Sequence, residues 1–460
     1  MDLQRYPAAG SPHSARCATM GNPMSRLAIL GGEPLRRTPF PRWPQFRQRD
    51  RERLLTVLES LNWGGYPFPN RFAEELSEAF ARHHGALYCC LVANGTIALT
   101  AALQAAGVRF GEEVIVPAYT WDGTAAAVLA AGAVPIFADV DPDTYCLDVE
   151  AARRAVTPRT RAIIPVHLAM RFADMDALIE LALQRDLIII EDCAHAHGGQ
   201  YKGRGAGSMG DMGCFSFQSS KLMTAGEGGA VLTSRLEYFE LLQSLTNCGR
   251  ASLTDRFKRR VVGWNYRLTE FQAALLIGQL ELLPELAARR SRNAALLSQA
   301  LEGLEGVRPL PRQPELTREA IYSYVFQYRP PDERVSRDLF VAALEAEGIP
   351  ADGRFYEPVY RSDLFPARPD AFPQLAVGRD HPINYQECCC PVAERAAYRE
   401  AVWLPQFLLL GEESDVADIA RAVAKVLENR EALAEAGEEL AGVKAMSRAE
   451  RSRLERERNY

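Results

Sequence analysis

Lys221 stands between a hydroxyl-rich stretch and a glycine-rich one in SFQSSKLMTAGEGG. A lysine amine can condense with an aldehyde and can afterwards carry protons. A surface lysine in a loop is the ordinary reading of such a residue, but three other features share its placement just beyond a short apolar run. Asp192 closes LIIIED, where a carboxylate is costly unless a cation answers it. Trp121 follows EEVIVPAYT and offers a flat face on which a ring can stack. Asn94, Gly95 and Thr96 follow YCCLVA and open the apolar run IALTAALQAAG. A helix starting there presents free N–H groups and a positive dipole end to a phosphate, and Gly95 lets the backbone come close. N-G-T alone is a common helix start. A phosphate cradle, a stacking ring, a carboxylate for a ring nitrogen and an amine for an aldehyde together describe pyridoxal 5'-phosphate as cofactor.

Positioning these groups takes a sheet. The runs YCCLVAN, EEVIVPAY, AVPIFADV, RAIIPVH and LIIIEDCA are short and nearly continuous in apolar residues. Helical stretches such as FADMDALIELALQRD separate several of them. That alternation predicts an α/β domain whose mainly parallel sheet is covered on both faces. In such sheets ligands bind beyond the carboxyl ends of the strands, where all four features fall. GCFSFQ and GAVLTS are separated only by the glycine-rich loop, which predicts an antiparallel pair. Gly226, Gly228 and Gly229 let the chain reverse near the lysine, and Glu227 between them reads as structural. RFAEELSEAFARHHG is apolar at helical spacing and stops on Gly85. A long helical pattern from YRLTEFQ leads to YSYVFQYRP, RVSRDLFVAALEAEGIPADGR and VADIARAVAKVLENR, read as a smaller α+β domain. The expected organisation is a disordered leader over 1–25, a large cofactor-binding domain with an N-terminal arm over 26–280, a small C-terminal domain over 281–430 and a charged helical or disordered tail over 431–460.

With these motifs the sequence resembles the DegT/DnrJ/EryC1/StrS family of aminotransferases, from about Leu27 to Glu428, and SFQSSKLMTAGEGG carries most of the likeness. The resemblance implies fold type I of the pyridoxal phosphate enzymes, with a mainly parallel seven-stranded type of sheet. It places the cofactor-bearing lysine at Lys221 and the ring-nitrogen carboxylate at Asp192. Phosphate ligands fall on Gly95, Thr96 and Ser216, and the stacking ring on Trp121. His195 stands where many members have Gln beside the ring hydroxyl. GWNYRLTEFQAAL matches the motif whose asparagine, here Asn265, reaches the phosphate of the neighbouring subunit. That match implies a homodimer with shared active sites.

FPRWP, KLMTAGEGG, AHAHG and TNCGR look most like scyllo-inosose aminotransferases and 3-amino-5-hydroxybenzoate synthases. The implied reaction moves an amino group from L-glutamine or glutamate to a keto-cyclitol, in aminocyclitol or related antibiotic biosynthesis. A nucleotide-linked keto-sugar acceptor and a dehydratase or aromatase reaction remain alternatives. Met170, Arg171 and Asp122 depart from the usual pattern and are candidates to reshape the pocket, with Arg171 alternatively a solvated loop residue. NWGGYPFPN and RFYEPVYRSD are candidate substrate loops with few basic residues beyond Arg354 and Arg361.

Composition excludes other classes. A net charge of -6 over 460 residues gives no general attraction to nucleic acid or anionic membrane. With no helix-turn-helix pattern, a non-catalytic sensor fused to a DNA-binding module is disfavoured. No apolar run reaches the roughly 18 residues that span a bilayer, and the N-terminus lacks a secretory pattern, so a cytoplasmic location is expected. The ten cysteines form no C-x-x-C pair and read as reduced, small core residues rather than metal ligands.

Overall fold

Apolar runs of four or five residues become strands here because helices bury both of their faces. The computed structural model describes residues 26–65, 70–250, 260–437 and 440; the expected leader and most of the charged tail lie outside them. Nine strands occupy the first half of the chain: β1 (Tyr88–Val92), β2 (Glu113–Pro117), β3 (Val134–Ala138), β4 (Thr160–Ile163), β5 (Ile188–Asp192), the short β6 (Gln200–Tyr201) and β7 (Arg204–Gly205), β8 (Met212–Ser216) and β9 (Gly229–Thr233). Seven of them form one sheet in the order β1-β9-β8-β5-β4-β2-β3. The β5, β4, β2 and β3 contacts are parallel, as is β5 with β8. β9 runs against both its neighbours, Phe215 facing Ala230 and Cys90 facing Val231. β2, β5, β8 and β9 are buried along their whole length, as the continuous apolar runs require.

Several helices begin where the sequence offers a cap. α1 (Gln48–Ser60) and α2 (Arg71–His84) precede the sheet, and α2 stops on Gly85 at φ +77°, a left-handed cap that glycine adopts without strain. α3 (Gly95–Ala105) is capped by the Asn94 side chain, which accepts from the Ile97 N–H at 2.9 Å. α4 (Gly123–Ala130), α5 (Val149–Ala155), α6 (Met175–Arg185) and α7 (Leu236–Thr246) complete the layers around the sheet. α8 (Glu270–Leu301) starts from a Thr269–Gln272 capping box and packs on both α1 and α2.

At 32 residues α8 is about 48 Å long, so it also reaches a second sheet. There β10 (Val307–Pro309), β12 (Ser323–Tyr328) and β13 (Ala401–Pro405) pair antiparallel, while β11 (Leu316–Arg318) joins β6 and β7. α9 (Arg337–Ala346), the short α10 (Pro391–Arg395) and α11 (Glu413–Glu428) follow, and α12 (Arg430–Glu435) ends the described helices. Two links bring this later part back to the large sheet's carboxyl edge. The Tyr322 N–H donates to Ala169 O and the Val359 N–H to Ala118 O, both at 2.8 Å. No described helix is long and apolar enough to cross a membrane.

Candidate active site

Asp192 is the last residue of β5, and its backbone is tied to the loop after β4 through Pro165 O and the His167 N–H. Its side chain is buried. Oδ2 accepts from Thr124 Oγ1 at 2.9 Å and Oδ1 from the Ala194 N–H at 3.1 Å. Burial pushes its pKa up; the Ala194 N–H, the Thr124 hydroxyl and the Lys221 charge oppose that. The preceding residue faces the other side of the sheet, as strand alternation demands. Glu191 accepts from the Gly207, Met209 and Gly210 N–H groups at 2.7–2.8 Å and bonds His167 Nε2 at 3.0 Å. His167 Nδ1 accepts from the Ala173 N–H, so its Nε2 carries the proton and donates to Glu191. His167, Glu191 and Cys193 lie close enough to share a metal, but these hydrogen bonds account for their placement by pinning the 207–210 turn.

The glycine-rich loop presents Lys221 from the other side. The Phe217 N–H donates to Gly228 O and the Ala225 N–H to Phe217 O, closing the loop. Gly226 and Gly228 sit at φ +81° and +148°, which explains why the reversal needs them. Lys221 Nζ lies 4.6 Å from the centroid of the Tyr322 ring, and the Tyr322 hydroxyl bonds Ser220 Oγ at 2.9 Å. The opposite partner of Tyr322 is His195, stacked with centroids 3.8 Å apart. His195 Nδ1 accepts from the Ala169 N–H at 3.2 Å, which leaves the Nε2 proton for the Tyr356 hydroxyl at 3.3 Å. Tyr322 was not among the residues expected from sequence, whereas Tyr356 falls in the second candidate substrate loop, RFYEPVYRSD.

The first turn of α3 packs against the end of β8 with no space to spare. A Cβ on Gly95 would stand 2.7 Å from Ser216 Cβ, and one on Gly229 would stand 2.5 Å from the Asn94 carbonyl. Gly123 likewise faces Trp121 Nε1 and Thr96 Oγ1, so Trp121 and Thr96 flank one position. Trp121 is half-exposed, leaving room on its ring. Behind Ser216, His197 Nε2 donates to the Ser216 carbonyl at 2.9 Å, and burial pushes the His197 pKa down to about 3, so the ring is neutral. Gly95, Thr96, Ser216, Trp121, Asp192, His195 and Lys221 therefore gather at one edge of the sheet. Asn265 is exposed, on a segment whose backbone pairs with Thr246–Cys248 and, through Tyr266 O, with the Ala93 N–H just before Asn94.

Neither expectation for Arg171 holds. It is buried, and its Nε, Nη1 and Nη2 donate to the carbonyls of Pro311, Met170 and Leu310, all at 2.9 Å. It fastens the loop after β4 to the chain following β10 rather than lining a pocket or meeting solvent. Met170 is buried as well, its Sδ accepting from the Val325 N–H. Tyr66–Pro69 of the first candidate substrate loop lie outside the described residues.

The profile of the DegT/DnrJ/EryC1/StrS aminotransferase family matches residues 45–424. The chain belongs to that family. It is 46% identical over 413 residues to a putative L-glutamine:3-amino-2,3-dideoxy-scyllo-inosose aminotransferase of Streptoalloteichus tenebrarius, covering 89% of this chain and 99% of the relative. It is 38% identical to an L-glutamine:2-deoxy-scyllo-inosose aminotransferase of Micromonospora echinospora, covering 89% and 100%. Among solved structures, the crystal structure of 3-amino-5-hydroxybenzoic acid synthase superposes with a TM-score of 0.74 at 36% identity, covering 84% of this chain and 98% of the other. The fold is that of the type I pyridoxal phosphate aminotransferases, and this family member is an aminotransferase.

Proposed function

We propose that this aminotransferase uses pyridoxal 5'-phosphate to move the amino group of L-glutamine onto a free keto-cyclitol, with 3-amino-2,3-dideoxy-scyllo-inosose the first acceptor to try. The observation that carries the reading is the convergence of Asp192, Lys221 and the Gly95–Ser216 contact at one sheet edge. The residues fit the cofactor: the α3 amino end and the Ser216 hydroxyl suit its phosphate, Trp121 its ring face, and Asp192 a protonated ring nitrogen. When bound, the group supplies an electron-withdrawing ring that takes up the electron pair released at the amino carbon. Asp192 keeps the ring nitrogen protonated. Lys221 holds the cofactor covalently, and its freed Nζ takes the proton from the donor's α-carbon. By the family resemblance His195 would stand beside the cofactor hydroxyl, its ring fixed by Ala169, Tyr322 and Tyr356. Asn265 of the partner subunit completes the phosphate site in a homodimer.

The acceptor class rests on charge. A nucleotide-linked sugar brings a diphosphate, which calls for free arginine or lysine. Arg354 instead pairs with Asp338 at 2.9 Å. Arg361 donates to the carbonyls of Gln386 and Cys388 at 3.2 Å. A cyclitol offers only hydroxyls and amines, which a small pocket of hydrogen-bond partners can hold. To test this, the enzyme is converted to its pyridoxamine form with L-glutamine and given each acceptor in turn while the cofactor absorbance is followed. Recovery of the original absorbance with a keto-cyclitol is expected; recovery only with a nucleotide-linked keto-sugar would contradict the reading.

A further inference from the structure

Tyr322 leads into β12, and its N–H is tied to Ala169 O at 2.8 Å. Its side chain is buried and held on several sides. His195 stacks on the ring with centroids 3.8 Å apart, and Phe355 meets it edge-on at 6.2 Å. Lys221 Nζ stands over the ring, 4.6 Å from its centroid. It occupies the face that His195 leaves open, since an imidazole stacked at 3.8 Å would overlap an amine on its own side.

The hydroxyl decides what the tyrosine can offer that amine. Ser220 Oγ gives its proton to Gln218 Oε1 at 2.7 Å, and the Ser220 N–H donates to the same oxygen at 2.9 Å. A serine hydroxyl has one proton to give, so the phenol is the donor in its 2.9 Å bond with Ser220 Oγ. Its proton is engaged there. What faces Lys221 is the π-electron face, which attracts a cation and not a neutral amine. Two other titratable groups feel the Lys221 charge: Asp192, which it favours as a carboxylate, and His197, which it helps to keep neutral. Both keep partners of their own, Thr124 and the Ala194 N–H for the first and the Ser216 carbonyl for the second.

We propose that Tyr322 is a positioning residue for Lys221: its ring face holds Nζ as an ammonium between taking the donor's proton and handing it on, while its hydroxyl only anchors the ring. The proton moves from the α-carbon to Nζ, and none passes to the phenol. This rests on the proposed role of Lys221 and adds the group that keeps the freed side chain in place.

Two kinds of change separate the face from the hydroxyl. Tyr322→Phe removes the hydroxyl and keeps the face. Mono-, di- and trifluorinated phenylalanine, introduced at the same position by nonsense suppression, keep the shape and drain the face of negative charge. In the cofactor-free protein, trace acetylation is followed against pH by peptide mass spectrometry, with the exposed Lys202 as internal reference. Because the face favours the ammonium, the labelling midpoint of Lys221 is expected to hold in Tyr322→Phe. It should fall stepwise with fluorination, by about one pH unit in all, a tenfold loss of preference for the charged form. A change in the amount of labelling with no shift in midpoint would reflect access alone and would overturn the proposal. A midpoint that already falls as far in Tyr322→Phe would overturn it too. In the loaded enzyme, single-turnover reaction with ordinary and α-deuterated L-glutamine is expected to slow about tenfold across the fluorinated series. The isotope effect should grow while half-saturation stays constant, with Tyr322→Phe close to native. A rate and isotope effect indifferent to fluorination would count equally against the role. If native enzyme does not react with L-glutamine, the donor reading fails, and the labelling arm still decides for or against Tyr322.

Discussion

A carboxylate as deeply buried as Asp192 is unfavourable when charged, and one hydroxyl, one N–H and the Lys221 charge offset that only in part. Its folded pKa is raised by burial, so between the unfolded value near ~3.9 and the folded value the folded state holds the extra proton. Its contribution to stability is therefore fully present below the unfolded value and is lost as pH rises through the folded one. Calorimetry of the cofactor-free protein is expected to show Asp192→Asn melting higher than native at pH 8, with the gap closing toward pH 4; a variant that melts lower at pH 8 would contradict this. In the loaded enzyme the same variant should retain cofactor yet lose turnover by several orders of magnitude, since nothing keeps the ring nitrogen protonated. That Asp192, Lys221, Trp121 and Gly95 stand at or beyond strand ends was legible in the sequence, because each closes or follows a short apolar run that reads as a strand. Tyr322 was not, because it meets Ser220 across 102 positions of chain, and nothing local marks it. Glu191 was passed over beside Asp192, although strand alternation already put the two on opposite faces.

The strands, their parallel order and the glycine-stopped α2 followed from runs and caps, whereas contacts between distant loops did not. Arg171 is the clearest case: an arginine in a loop reads as solvated until the carbonyls of Leu310 and Pro311 are brought to it. Arg171→Ala would leave three buried carbonyls unanswered and is expected to lower stability by about 3 kcal/mol, read as a lower denaturation midpoint. A change under half that size would mean that water reaches the carbonyls. The approach of α3 to β8 gives a second test. Gly95→Ala forces a methyl within 2.7 Å of Ser216 Cβ, and the helix amino end must move off the strand. Cofactor affinity, titrated by fluorescence quenching, is expected to weaken at least about tenfold, with little change in the melting of the cofactor-free protein beyond the local repacking. Undiminished affinity would remove this contact from the phosphate site.

At the scale of the whole molecule, Asn265 is exposed to solvent in the single chain. If it completes a neighbour's phosphate site, Lys221→Ala and Asn265→Ala chains, each nearly inactive alone, should regain activity when mixed and refolded together. One site of the mixed dimer then holds both intact residues. Heterodimers that form and stay inactive would refute the shared site. The most direct test of the central claim follows the nitrogen itself. The enzyme is incubated with L-glutamine labelled with nitrogen-15 at the α-amino group and with 3-amino-2,3-dideoxy-scyllo-inosose, and the products are weighed by mass spectrometry. The account predicts one labelled nitrogen in a newly formed diamino-cyclitol, absent with Lys221→Ala. Label that never enters the cyclitol, but does enter a nucleotide-linked sugar offered in its place, would contradict it.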